Sequence, residues 1–191
     1  MIRIGIVGDI GSGKSYLAKQ FGFPVFNADL EVTKIYRSNR LCFKKIKKAL
    51  PKYFSSFPIK KDEITKAILG KNNNLKKITR IIHPEIRREM NIFLRKNKKK
   101  DIVVLDIPLL LENRLNKKKD VLIFIDAKKS QIYKRLKKRK NFNLKLFKKF
   151  KKIQLPLEYK KKKSQFIIKN NFTELSLRRS IKLIIKKINN D

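Results

Sequence analysis

Cysteine is almost absent: Cys42 is the only one. A single thiol builds no internal disulfide framework and no multi-cysteine metal site, so it reads as a small buried hydrophobe. Histidine is equally scarce, and the lone His83 excludes a His-rich metal centre. No apolar run approaches the ~20 residues that a membrane span needs. The opening Met1-Ile2-Arg3-Ile4-Gly5-Ile6-Val7 is apolar, but Gly8-Asp9 ends it well short of a signal-peptide core. The expectation is a reducing, cytoplasmic setting with no membrane partner. There is no flexible Gly/Ser linker and no internal repeat.

Acidic residues are few. Fifteen Asp and Glu face 52 Lys and Arg, for a formal charge of +37. Such a balance invites a nucleic-acid reading, because lysines neutralise phosphates and release counterions. Here lysine is spread along the whole chain. It is abundant together with asparagine, isoleucine and phenylalanine, which share A/T-rich codons, so genome composition accounts for the charge. No specific nucleic-acid partner is expected. Non-specific polyanion binding is, and the same field would help an anionic nucleotide to arrive.

What is present suits one core with small insertions: 191 residues, 41% of them hydrophobic. Five apolar stretches read as strands: Ile2–Val7, Pro24–Asn27, Ile102–Asp106, Val121–Asp126 and Gln165–Lys169. The third and fourth are continuous β-branched runs, which suit a parallel sheet covered on both faces. Helical patterns fill Ser15–Phe21, most of Leu30–Asn97, Lys129–Arg139 and Thr173–Ile188. The alternation predicts an α/β fold with a doubly wound, mostly parallel five-stranded sheet. A single domain is expected, with its core in 1–29, 101–139 and 164–191. A helical subdomain spans about 30–100, at the edge of the site, and a small helical lid about 140–163. The Lys160–Lys163 run reads as a solvated face.

The strongest motif is Gly8-Asp9-Ile10-Gly11-Ser12-Gly13-Lys14-Ser15. It fits the phosphate-binding pattern G-x-x-x-x-G-K-[ST], with a strand before it and a helix after it. Glycines let backbone N–H groups turn inward around a phosphate with no Cβ in the way. Lys14 is placed to reach the β- and γ-phosphates of ATP, and the Ser15 hydroxyl to ligate Mg²⁺. A GTPase would need Asn-Lys-x-Asp after a strand. The nearest stretch, Asn116 to Asp120, is one residue too long and precedes a strand.

Two carboxylates end predicted strands, where open α/β sheets bind ligands. Asp29, in Asn27-Ala28-Asp29, reads equally as a general base for an attacking hydroxyl or as the N-cap of a helix starting at Leu30. Asp106 reads as a Mg²⁺-side carboxylate or as a strand-end cap.

The ordered set of motifs resembles the dephospho-CoA kinase family, from Met1 to about Asn171. It comprises the phosphate loop, where the family usually reads G-G-I-G-S-G-K-[ST], and Asn27-Ala28-Asp29 for its D-A-D. His83-Pro84-Glu85-Ile86-Arg87 and Leu105-Asp106-Ile107-Pro108-Leu109-Leu110-x-Glu112 follow. Gln131-x-x-x-Arg135-x-x-x-Arg139 and Gln154-Leu155-Pro156 complete the set. The resemblance implies phosphoryl transfer from ATP, with Mg²⁺, to the ribose 3′-hydroxyl of dephospho-CoA. It makes Asp29 the base, with Lys14 and Arg139 as the other catalytic residues. Gly11, Ser12, Gly13, Lys14, Ser15, Tyr16, Arg139 and Asn170 would bind ATP. Asp29, His83, Arg87 and Asp106 would serve the acceptor, and Ser15 the metal, with Asp106 acting through water. A monomer is expected. By residue type alone, His83 before Pro84 reads as a helix start, and Arg87 and Arg139 as exposed helix cations. The chain departs from the family's pattern at Asn27, Lys140, Phe150, Gln165 and Lys169.

Overall fold

The computed structural model describes residues 1–139 and 142–190. Lys140 and Asn141, at the start of the expected lid, lie outside the described residues. The chain divides into two compact units. The first comprises Met1–Asn27, Asn97–Phe142 and Phe150–Asp191; the second, Ala28–Lys96 and Asn143–Lys149.

The first unit is built on five strands: β1 (Ile2–Gly8), β2 (Val25–Asn27), β3 (Ile102–Asp106), β4 (Val121–Asp126) and β5 (Phe166–Lys169). They lie in the order β2-β3-β1-β4-β5, and every neighbouring pair is parallel. This is the expected five-stranded parallel sheet. Its strands alternate between two covered faces, which explains their unbroken apolar runs. One face carries Ile4, Ile6, Ile102, Val104, Ile123 and Ile125. Against it pack Leu17 and Ala18 of α1 (Lys14–Gln20) and the Leu177, Ile181, Ile184, Ile188 stripe of the C-terminal helix, Glu174–Asn190. On the other face Gly5 leaves room for Leu110 and Leu122: a Cβ there would stand 2.7 Å and 2.9 Å from their methyl groups. Because all strands run the same way, Gly8, Asn27, Asp106, Asp126 and Lys169 end them along one edge.

The second unit is helical. Its helices are α2 (Ala28–Ser38), α3 (Arg40–Ala49), α4 (Lys61–Gly70) and α5 (Asn74–Lys96), and α5 touches the other three. Ile78, Ile82, Ile86 and Met90, four residues apart, form the buried stripe of α5. That stripe overrides a sequence expectation. Pro84 lies inside α5, so His83 does not start a helix. Proline removes one N–H and disfavours the preceding turn, but burial of the continuous stripe outweighs it, and Pro84 itself is exposed. Cys42 is buried, and burial pushes its thiol up to about 11, with Glu85 adding to the effect. It is a packed hydrophobe, as its isolation in the sequence implies.

The remaining helices described are α6 (Lys129–Lys137), α7 (Leu144–Lys152), α8 (Leu157–Lys162) and α9 (Glu174–Asn190). In α8 the expected solvated lysine face fails at its first member. Lys160 is 3% exposed and pairs at 2.6 Å with Glu112, which also accepts from the Leu155 N–H at 3.0 Å. A buried ammonium needs such a partner. Lys162 and Lys163 are exposed.

Candidate active site

The site in the first unit begins with backbone geometry. The loop between β1 and α1 holds Gly8, Gly11 and Gly13 at φ of 150°, 83° and 101°. At Gly13 a Cβ would come within 2.7 Å of Asn170 Nδ2. Glycine is therefore required both by the left-handed backbone and by the close approach. Asn170 is buried; its Nδ2 donates to Ser12 O at 2.8 Å, and its Oδ1 accepts from the Phe172 N–H at 2.8 Å. The amide braces the loop from the end of β5.

Lys14 Nζ lies against the loop, donating to Asp9 O at 2.7 Å and to Gly8 O at 3.4 Å. Asp106 closes the opposite side. It is 2% exposed, accepts from Asn27 Nδ2 at 2.6 Å and is hydrogen-bonded to the Ser15 hydroxyl. Burial pushes its carboxyl above the usual carboxylate range. The Ser15 bond, the Lys14 charge, the Asn27 bond and the Lys19 charge oppose that push. Asn27, a departure in the sequence, is thus a neutral donor to a buried carboxylate.

These residues fit a magnesium nucleotide. Gly8, Gly11 and Gly13 carry no Cβ that would stand between the loop backbone and a phosphate. The Ser15 hydroxyl and the Asp106 carboxylate are hard oxygen donors of the kind Mg²⁺ takes. Among the described residues no group of three or more His, Cys, Asp or Glu could hold a metal by itself. Phosphate oxygens and water must complete such a coordination shell, as they do where Mg²⁺ is bound with its nucleotide.

Tyr16, on α1, is 44% exposed. Arg139 is exposed just beyond α6, its N–H bonded to Leu136 O at 3.1 Å. Asp29, His83 and Arg87 belong to the second unit. Asp29 is exposed in the first turn of α2, which starts at Ala28 rather than Leu30. It therefore lies inside the helix rather than at an N-cap, where its charge still favours the helix start. His83 and Arg87 stand four residues apart on α5, hence on one side of it. Burial, then the Arg87 charge, lowers the His83 imidazole below its ordinary value.

Phe172 and Lys151 had no signal in the sequence. Arg135 stacks over Phe172, 4.3 Å from the ring centre, and Phe172 lies 3.7 Å from a Cβ built on Gly13. Lys151 pairs with Asp9 of the loop. In a chain with 52 basic residues Lys151 did not stand out, whereas Arg135 belongs to the Gln131-x-x-x-Arg135-x-x-x-Arg139 motif. Asp120, from the rejected GTPase-like stretch, has a structural place: it accepts from Arg3 at 2.9 Å and from the Lys117 N–H at 2.8 Å.

Residues 2–175 match the family model described as dephospho-CoA kinase. A dephospho-CoA kinase of Wolbachia sp. subsp. Brugia malayi is 32% identical over 190 residues, with 97% of each chain covered. Among solved structures, TT1252 from Thermus thermophilus superposes with a TM-score of 0.76 at 24% identity, covering 98% of this chain and 97% of the other. Dephospho-CoA kinase from Campylobacter jejuni superposes at 0.62, also at 24% identity, covering 97% and 96%. These two likenesses are of fold.

Proposed function

The chain belongs to the dephospho-CoA kinase family, and on that premise we propose that it transfers the γ-phosphoryl group of ATP to the ribose 3′-hydroxyl of dephospho-CoA, giving coenzyme A and ADP. The observation that carries the reading is the cluster of Lys14, Ser15 and Asp106 at the carboxyl edge of a parallel sheet, beside a glycine loop. Phosphoryl transfer asks a protein mainly for positioning and for charge stabilisation.

Lys14, Gly11 to Gly13 and Tyr16 hold the nucleotide. The Lys14 ammonium leaves its loop carbonyls for phosphate oxygens, a charge-assisted exchange. Ser15 and Asp106 would hold Mg²⁺, Asp106 by way of water, and Asn27 keeps the carboxylate aimed. Mg²⁺, when bound, would neutralise charge on the phosphates. Asp29 accepts the proton of the attacking 3′-hydroxyl. His83, Arg87 and Asp106 serve the acceptor, and Arg139 stabilises charge on the transferring group. The helical stretch of about 30–100 receives dephospho-CoA, and the segment of about 140–163 covers the nucleotide. The protein works as a cytoplasmic monomer.

The test is ADP release from ATP and Mg²⁺ with dephospho-CoA, AMP or adenosine as acceptor. Stimulation by dephospho-CoA alone is expected. Stimulation by AMP or adenosine instead would keep the phosphate-loop reading and reject the acceptor.

A further inference from the structure

Asp9 is an anomaly in its own loop. It occupies the second position of Gly8–Ser15, where the resembled pattern has glycine, and its side chain is 11% exposed. Its Oδ1 accepts from the Ile10 N–H at 2.7 Å and from Lys151 Nζ at 2.5 Å. Its carbonyl accepts from Lys14 Nζ at 2.7 Å. A carboxylate is therefore fixed in the segment whose backbone must receive a polyphosphate. Like charges in a poorly solvated place oppose one another strongly.

Lys151 answers that charge. It comes from the last turn of α7, 142 residues away, and follows Phe150, where the resembled pattern often has arginine. A loop position where the resembled pattern has glycine and a lysine next to the Phe150 departure thus meet in one ion pair.

We propose that Lys151 is a positioning residue for nucleotide binding: it holds and neutralises the Asp9 carboxylate, so that a loop bearing an acidic side chain still accepts the phosphates of ATP. This rests on the ATP-binding reading of the loop given above. The ammonium removes the repulsion and fixes the Asp9 rotamer away from the phosphate path. A merely structural pair would contribute to stability and leave nucleotide affinity alone.

The experiment is a double-mutant cycle read by calorimetric titration of ATP with Mg²⁺, alongside thermal melts of the free proteins. The variants are Lys151→Met, Lys151→Arg, Asp9→Asn, and Asp9→Asn with Lys151→Met. Asparagine keeps the acceptor for the Ile10 N–H, so the loop retains its local bond. Lys151→Met should weaken ATP at least about tenfold, roughly 1.4 kcal/mol. Lys151→Arg should bind ATP close to wild type. The double variant should recover to within about threefold of wild type, because nothing is left to neutralise. Two results overturn the proposal. One is wild-type ATP affinity in Lys151→Met, whatever its melting temperature. The other is a double variant as weak as Lys151→Met, which would mean that Lys151 acts on the nucleotide without Asp9. Failure of the wild-type protein to bind ATP is a distinct result: it overturns the functional reading, and this inference with it.

Discussion

At the amino edge of the sheet, Asp120 is 5% exposed and meets the Arg3 guanidinium at 2.9 Å, itself buried. At the carboxyl edge, Asp106 is 2% exposed, and its hydrogen bonds from Asn27 and Ser15 come from neutral donors. Both are aspartates beside apolar strands. The first is matched by a permanent charge in direct contact, and the pair ties the start of β1 to the turn before β4. The second has the Lys14 and Lys19 charges near it, and burial raises both carboxyls above the usual carboxylate range. A buried carboxylate is costly to keep; on the proposed function it would be available to a metal ion that arrives with a substrate. On that proposal the same residue type serves the fold at one edge and the chemistry at the other.

The comparison breaks most visibly if Asp106 is neutralised. Asp106→Asn should lower turnover roughly 10³-fold, about 4 kcal/mol of transition-state stabilisation. Its melting temperature at pH 7 should not fall, and should rise. The sign follows from linkage: burial raises the carboxyl in the folded state, so the native protein holds that proton more tightly than the unfolded chain does. Its contribution to stability is lost as pH rises from the ordinary carboxylate value through the folded one, and a neutral amide removes that loss. Steady-state kinetics beside a thermal melt would show either result.

Asp120→Asn should do the reverse. It strands the buried Arg3 guanidinium and should cost about 3 kcal/mol of stability, with kcat per folded molecule unchanged. Arg3→Met combined with Asp120→Leu should regain part of that loss, since no charge is left unpaired, while the Lys117 N–H loses its acceptor. Denaturant unfolding measures all three proteins. A double variant no more stable than Asp120→Asn would show that the pair does more than cancel itself.

The finest probe is Asn27→Asp. It replaces a neutral donor 2.6 Å from Asp106 with a second carboxylate. Like charges at that distance raise the shared titration further. In the wild type, falling pH protonates Asp106 sooner than an ordinary aspartate, so activity declines on the acid side. In Asn27→Asp that acid limb should move to higher pH, with a several-fold loss at most on the alkaline plateau. An unmoved limb in the pH–rate profile would separate Asp106 from the titration that controls turnover.

Much of this was legible along the chain. The five strands emerged because two-sided burial writes itself as contiguous β-branched runs. The phosphate loop emerged because eight consecutive residues carry its whole geometry. The burial of Cys42 followed from its isolation, and the C-terminal helix from its pattern over Thr173–Ile188, although the structure decided which of its apolar residues are buried. Other residues misled for a physical reason. Pro84 marks a helix start by local rules, yet burial of Ile78, Ile82, Ile86 and Met90 carries α5 through it. Lys160 belongs to a run of like charges, yet its partner Glu112 stands 48 positions earlier and draws it inside.

The sequence alone determined the class of the fold, the parallel sheet and the glycine loop with its phosphate-binding pattern. Each is a local pattern in which neighbouring residues meet one constraint together. Only the tertiary structure decided which charges are partnered. It joined Arg3 to Asp120, Asp9 to Lys151, Lys160 to Glu112 and Asn27 to Asp106. Those pairs depend on distances between remote segments, and among 52 basic residues no local pattern distinguishes the one cation that a given carboxylate meets.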